Sequence, residues 1–146
     1  MSLRVSDIMT ADLVTLEEHE DLSLADSIMA LGRIRHLPVV TDGALVGLVT
    51  HRDILASHAA RPQAGDSVAE ATAETAARRR VLAGDIMTRE VRTVSPETTV
   101  LDAARIIHEH KLGCLPVVDG GKLVGIVTEA DFVQLVIRGL EAEADA

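Results

Sequence analysis

Gly47-Leu48-Val49-Thr50-His51-Arg52-Asp53 and Gly125-Ile126-Val127-Thr128-Glu129-Ala130-Asp131 are the same seven-residue pattern set 78 residues apart. Each begins in a β-branched run and ends in a polar one, which reads as a strand passing directly into a helix. The likeness extends upstream at the same offset. Leu37-Pro38-Val39-Val40 falls on Leu115-Pro116-Val117-Val118, and Asp7-Ile8-Met9-Thr10 falls on Asp85-Ile86-Met87-Thr88. No gap is needed between positions 7 and 55, and about 18 of those 49 positions are identical. The chain is an internal duplication. Two copies are too few for a solenoid, so two small repeats sharing a core is the expected architecture.

Each repeat has one grammar. A short extended piece, Leu13 to Leu16 or Val91 to Val94, precedes an amphipathic stretch carrying Leu22, Ala25, Ile28 and Met29 or Val100, Ala103, Ile106 and Ile107. That spacing is helical. In the second repeat Ser95-Pro96-Glu97 reads as the helix start, with Ser as N-cap and Pro at the first helical position. Two β-rich runs follow. They are joined by Thr41-Asp42-Gly43-Ala44 in one repeat and Asp119-Gly120-Gly121-Lys122 in the other, both hairpin signals. A second helix opens at Thr50 or Thr128. The predicted unit is β-α-β-β-α and the fold class is α/β, of the α+β kind. The predicted divisions are repeat one over 1–56, a linker over 57–83, repeat two over 84–140 and an acidic tail over 141–146. Within the linker, Ser67-Val68-Ala69-Glu70 reads as a capping box opening an Ala-rich helix to about Leu82. The tail after Leu140 is expected to fray.

Composition narrows the function. Hydrophobic residues make up 47% of the 146 and charged residues 25%, a globular balance. Phe132 is the only aromatic residue, which removes the stacking platforms that single-stranded nucleic acid requires. A net charge of −9 repels phosphate backbones and anionic lipid. Neither nucleic acid nor a membrane is an expected partner. The run Arg78-Arg79-Arg80 reads as a solvated helix end. With Cys114 as sole cysteine, no apolar run of membrane-spanning length and no signal-peptide pattern, a reduced cytoplasmic setting is expected.

The repeated Gly-x-Val-Thr-x-x-Asp carries the chemistry. A helix N-terminus presents unpaired N–H groups and attracts phosphate. Thr50 or Thr128 adds a hydroxyl there. Asp53 or Asp131, one turn on, suits a ribose diol, as a carboxylate does in dinucleotide folds. Gly47 or Gly125 would let a ligand approach the strand closely. The same Thr-x-x-Asp is also close to a capping box, which needs no ligand. Capping boxes favour Glu or Gln at the third position, and the recurring Gly and Leu-Pro-Val-Val belong to no cap. No nucleophile motif or Gly-rich phosphate loop is present. His108 and His110, two apart, face different directions on a helix and make a poor metal pair. No metal and no required cofactor is expected, and the chain is not expected to be an enzyme. Cys114 reads as an inert structural thiol.

Taken in order, and twice, the Asp-Ile-Met-Thr opening, the Leu-Pro-Val-Val strand and the Gly-x-Val-Thr-x-x-Asp junction resemble the CBS domain, which occurs in tandem pairs. The resemblance implies two repeats packed about a pseudo-twofold axis, with clefts between them that hold AMP, ADP, ATP, S-adenosylmethionine or a related adenosyl ligand. It implies that the Thr contacts phosphate, that the Asp contacts ribose, and that residues of the first strand and the x-Pro-Val strand enclose the base. Carried over, one cleft comprises Val14, Thr15, Arg35, His36, Leu37, Pro38, Gly47, Thr50, Arg52 and Asp53. The other comprises Arg92, Thr93, Cys114, Leu115, Pro116, Gly125, Thr128 and Asp131. Arg92 departs from the usual apolar residue. The rims differ in charge: Arg35, His36 and Arg52 in one repeat stand against Gly113, Cys114 and Ala130 in the other, with Glu129 replacing His51. The expected function is a regulatory module whose ligand changes its conformation, acting as a homodimer on a protein target. The alternative is a structural dimerisation module with vestigial clefts.

Overall fold

A computed structural model describes residues 2–59 and 80–145. Its elements in chain order are α1 (Val5–Ile8), α2 (Leu22–Gly32), β1 (His36–Thr41), β2 (Ala44–Thr50), α3 (His51–Ala59), α4 (Ala83–Ile86), α5 (Val100–His110), β3 (Cys114–Asp119), β4 (Lys122–Thr128) and α6 (Glu129–Ala144). The mixed α/β class and the repeated order are as expected. The first extended piece of each repeat is reduced to a single parallel bridge, Leu16 with Val39 and Val94 with Val117.

Both hairpins follow from their turn residues. Asp42 and Gly43 have φ of 51° and 81°, and Gly120 and Gly121 have φ of 57° and 81°. Two successive positive φ values match the right-handed twist of the flanking strands, and Asp-Gly and Gly-Gly reach them at least cost. β3 and β4 then pair antiparallel from Cys114 opposite Thr128 to Asp119 opposite Lys122, with a register shift at Val117/Val118. Helix α2 starts at Asp21, whose carboxylate accepts the Ser23 N–H at 2.8 Å, and α5 starts at Thr99, whose hydroxyl accepts the Asp102 N–H at 3.1 Å.

The start of α5 corrects the reading of Ser95-Pro96-Glu97. These residues form a turn, closed by the Thr98 N–H on the Ser95 carbonyl at 3.1 Å. The Pro96 and Thr98 carbonyls receive the Ser6 and Val5 amides, at 3.1 and 2.8 Å. Proline's fixed φ suits a turn as well as a helix start, and the amides of α1 decide between them. Two further differences concern the ends. Residues 141–144 continue α6 instead of fraying. Residues 80–82 are not helical, so the linker helix cannot reach Leu82; the rest of it lies outside the described residues.

The chain folds as two compact units that do not follow chain order. One comprises Val14–Asp42 with Val46–Glu90, and the other Met1–Leu13, Gly43–Leu45 and Val91–Ala146. Each Asp-Ile-Met-Thr opening is thus built into the unit of the opposite repeat. In the first-repeat unit, Ala83 and Gly84 donate to the carbonyls of Glu20 and Glu18 at 2.8 and 2.9 Å. Thr88 and Leu48 exchange two backbone hydrogen bonds of 2.9 Å. In the second-repeat unit, Thr10 and Ile126 make the same exchange at 2.9 and 3.0 Å. Methionine completes each contact. A Cβ at Gly47 would overlap the Met87 Sδ, and one at Gly125 would overlap the Met9 Sδ.

Each unit has its own apolar core. Leu16, Leu37, Val39, Val49, Ile54 and Ala83 are central to the first, and Val5, Leu115, Val117 and Val127 to the second. Each aliphatic side chain removed from water there contributes about 1.5–3 kcal/mol. We expect Gly47→Val to destabilise the protein by about 1–3 kcal/mol in urea titrations, because the added side chain has only the methionine's space to enter. Combining it with Met87→Ala should recover part of that loss, with a coupling energy of about 1 kcal/mol or more. Strict additivity of the two changes would show that the glycine is not needed for the methionine.

Candidate functional site

Thr50 and Thr128 stand where β2 and β4 end and α3 and α6 begin. In the first repeat the Thr50 N–H donates to Asp53 Oδ2 at 2.8 Å and the Asp53 N–H donates to Thr50 Oγ1 at 3.1 Å. In the second the Thr128 N–H donates to Asp131 Oδ2 at 2.8 Å, and its hydroxyl lies 3.4 Å from the same oxygen. Thr-x-x-Asp therefore is a capping box, and the shorter acid does reach back. The residue preference of isolated caps is overridden because the strand leads straight into the helix and brings the threonine amide over the carboxylate. Only one carboxylate oxygen is used. Among the described residues, Oδ1 of Asp53 and of Asp131 accepts no hydrogen bond. Both aspartates are half-buried.

The surrounding residues are gathered by backbone bonds. The His51 N–H donates to the Arg35 carbonyl at 2.9 Å, which brings Arg35 beside the first turn of α3. Leu16 is tied to β1 on both sides of Val39: the Leu16 N–H donates to the Pro38 carbonyl at 2.9 Å and the Val40 N–H to the Leu16 carbonyl at 2.8 Å. The segment carrying Val14 and Thr15 thus runs alongside Pro38. In the second repeat the Glu129 N–H donates to the Gly113 carbonyl at 3.2 Å, and the Val94 N–H to the Pro116 carbonyl at 3.1 Å. Arg92 and Thr93 therefore run alongside Pro116. Every candidate residue of a set falls within one unit.

Several of these residues have packing roles. Leu37 and Leu115 are fully buried and belong to the cores. Pro38 and Pro116 are equally enclosed. These four side chains are enclosed because successive residues, 37–39 in β1 and 114–117 in β3, are buried on both faces of the strand. Gly47 and Gly125 make room for methionine, Met87 and Met9. The accessible candidates are Val14, Arg35, Arg52, Arg92 and Thr93, all exposed, with Thr15, His36, Thr50, Asp53, Thr128 and Asp131 half-buried. The role of Met9 and Met87 is absent from the sequence reading. The signal was present: a glycine and a methionine each recur at fixed positions, and a residue without a side chain beside a flexible thioether is a packing pair.

Cys114 lies opposite Thr128 across the hairpin. Burial pushes its thiol up to about 12, so it remains neutral and a poor nucleophile.

A family model described as CBS domain matches residues 5–59 and 83–138. The chain belongs to the CBS domain family. Solved CBS pairs share its fold across nearly the whole chain. A Vibrio cholerae protein assigned to acetoin utilization, AcuB, is 31% identical with a TM-score of 0.82, covering 100% of this chain and 98% of its own. The CBS domain pair of protein MJ0100, in complex with 5′-methylthioadenosine and S-adenosyl-L-methionine, is 28% identical with a TM-score of 0.76, covering 93% and 97%. CBSX2 in complex with AMP is 29% identical with a TM-score of 0.76, over the same shares. Some relatives are larger proteins. A homoserine O-acetyltransferase of Methanococcoides burtonii is 32% identical over 90% of this chain, which spans 24% of that protein. The chain likewise spans about a third of another curated relative, 32% of its length.

Among the described residues, no helix is long and apolar enough to cross a membrane. None of their His, Cys, Asp and Glu side chains form a group of three or more that would hold a metal ion.

The neutral thiol has a direct consequence. Cys114 of the folded CBS pair should resist iodoacetamide at pH 8 and react within minutes once the chain is unfolded in guanidinium. Its proton is lost near pH 9 in the unfolded chain and near 12 in the folded one. Stability should therefore decline as pH rises from about 9 towards 12. Replacing it, as Cys114→Ala, should flatten that decline in urea titrations. Rapid native alkylation would contradict the assignment.

Proposed function

We propose that this CBS pair is a regulatory module that binds an adenine nucleotide or a related adenosyl ligand (AMP, ADP, ATP or S-adenosylmethionine) at the Thr-x-x-Asp junction of each unit. One observation carries the reading. In both repeats the aspartate is pinned through one oxygen to the threonine amide, and the other oxygen accepts no hydrogen bond among the described residues. A carboxylate fixed in that way is pre-oriented to accept two ribose hydroxyls, so little side-chain entropy is lost on binding. The threonine hydroxyl at the N-terminus of α3 and of α6 suits a phosphate. Val14 with Thr15, and Arg92 with Thr93, would flank the base. Relatives solved with AMP, or with 5′-methylthioadenosine and S-adenosyl-L-methionine, support the adenosyl class.

On this reading the module requires no cofactor and catalyses nothing; it operates in the cytoplasm. The ligand acts by preferring one conformation over another, and a protein target responds. A second copy of the chain is the expected partner. That partnership is supported by α6, where Val133, Val136, Ile137 and Leu140 are all about half exposed or more at helical spacing. The divisions drawn on the repeat, 1–56, 57–83, 84–140 and 141–146, remain the reading for chain order.

Thermal unfolding tests the reading. ATP, AMP or S-adenosylmethionine at 100 times its dissociation constant should add about 2.7 kcal/mol. That corresponds to a rise in Tm on the order of 5 °C. No shift with any of them at millimolar concentration would leave the structural dimerisation module as the better account.

The aspartates give a second test. Asp53→Ala removes both the cap and the ribose contact, and should cost about 0.5–2 kcal/mol of stability as well as affinity. Asp53→Asn keeps an acceptor for the Thr50 amide, so its stability should stay within about 0.5 kcal/mol of the parent while affinity falls about tenfold. Unchanged affinity in the Asn variant would reduce the residue to a cap.

A further inference from the structure

The two junctions share a backbone but not a charge. Arg52 lies in the first turn of α3, and Arg35 is held beside that turn through its carbonyl bond to the His51 amide. Both arginines are exposed, and among the described residues neither forms an ion pair. A cation at a helix N-terminus is repelled by the helix dipole, so this arrangement is unfavourable until an anion arrives. The same turn of α6 carries Glu129 and Asp131, where carboxylates are favoured, and Gly113 replaces Arg35. Glu129 is exposed, and its amide is anchored on the Gly113 carbonyl. Each junction carries one aspartate, Asp53 or Asp131; the first adds two cations beside it and the second adds a further carboxylate, Glu129.

We infer that the two junctions discriminate between ligands of one adenosyl class by the charge of the 5′ substituent. The Thr50–Asp53 junction takes a nucleotide with a phosphate chain. The Thr128–Asp131 junction takes an adenosyl ligand whose 5′ substituent is uncharged or cationic, such as a thioether or a sulfonium. Arg35 and Arg52 are the specificity residues of the first, and Glu129 of the second. The inference rests on the adenosyl reading above. It adds that the module answers to two metabolite classes at once, and so responds to their balance rather than to either alone.

The discrimination follows from short-range electrostatics. An exposed charge acts on a ligand charge through a high dielectric and within a Debye length of about 8 Å at physiological salt. At such separations one charge reversal is worth about a factor of ten in affinity. The ribose and base contacts are common to both ligand classes and cancel in the comparison.

Isothermal titration of the full chain with ATP and with S-adenosylmethionine tests this. ATP should bind one site per chain at least about tenfold more tightly than the other. Asp53→Asn should weaken the tight event about tenfold and Asp131→Asn should spare it. S-adenosylmethionine should show the opposite dependence, and saturating it should leave the tight ATP event in place. Arg35→Ala with Arg52→Ala should weaken ATP by about tenfold or more and adenosine by less than about twofold. Conversely, Glu129→His with Ala130→Arg should bring the weak ATP site within about threefold of the strong one. Equal occupancy of both sites by ATP, direct competition between ATP and S-adenosylmethionine for one site, or an unchanged ATP ratio in the charge-altered variants would overturn the discrimination while leaving adenosyl binding intact. If ATP, S-adenosylmethionine and adenosine all fail to bind, the functional reading itself is overturned, and this inference with it.

Discussion

Two reciprocal backbone hydrogen bonds between Leu48 and Thr88, repeated between Ile126 and Thr10, tie the opening of each repeat to the last strand of the other. Everything near the candidate sites depends on them. Leu48 lies two residues before Thr50, and Ile126 two before Thr128, so the bonded segment sets where each strand ends and its helix begins. The glycine next to the bridge admits the methionine next to the other partner, so an apolar contact stands beside the hydrogen bonds. The Asp-Ile-Met-Thr motif thus bears on the site through the strand that presents the threonine.

The aspartate of each junction shows how a structural and a binding role can share one side chain. Through Oδ2 it satisfies an amide that the helix start leaves without a partner. Its other oxygen, at a half-buried position, keeps its capacity to accept. Capping and binding are then not rival explanations. The cap provides the orientation that a ribose contact requires, and it holds the carboxylate out of alternative rotamers.

Identity and difference between the repeats divide by physical role. Leu37, Val39, Gly47 and Val49 recur unchanged as Leu115, Val117, Gly125 and Val127, and all are buried. They fill one shape, twice, and a change of a single methylene would be felt. Arg35, His51 and Arg52 become Gly113, Glu129 and Ala130 at exposed or half-buried places, where packing imposes nothing. Duplication supplied two equal scaffolds, and the rims were free to diverge in charge.

The sequence by itself determined the repeat, the order of strands and helices, both Asp-Gly and Gly-Gly turns, and the threonine and aspartate at each junction, because these rest on local periodicity, on turn chemistry and on spacing within one helical turn. It could not show that Leu37 and Leu115 are core residues, since a motif residue and a core residue look alike in one dimension. It could not separate Ser95 as a helix cap from Ser95 as a turn, because the choice belongs to the amides of Val5 and Ser6, some 90 residues away. Above all it could not say which repeat each Asp-Ile-Met-Thr completes. The two copies of that tetrapeptide are identical, and so are the glycines that receive their methionines. Local chemistry is therefore the same for self-pairing and for exchange. Only the path of the chain in three dimensions brings Met87 to Gly47 and Met9 to Gly125, and that choice is made by tertiary packing alone.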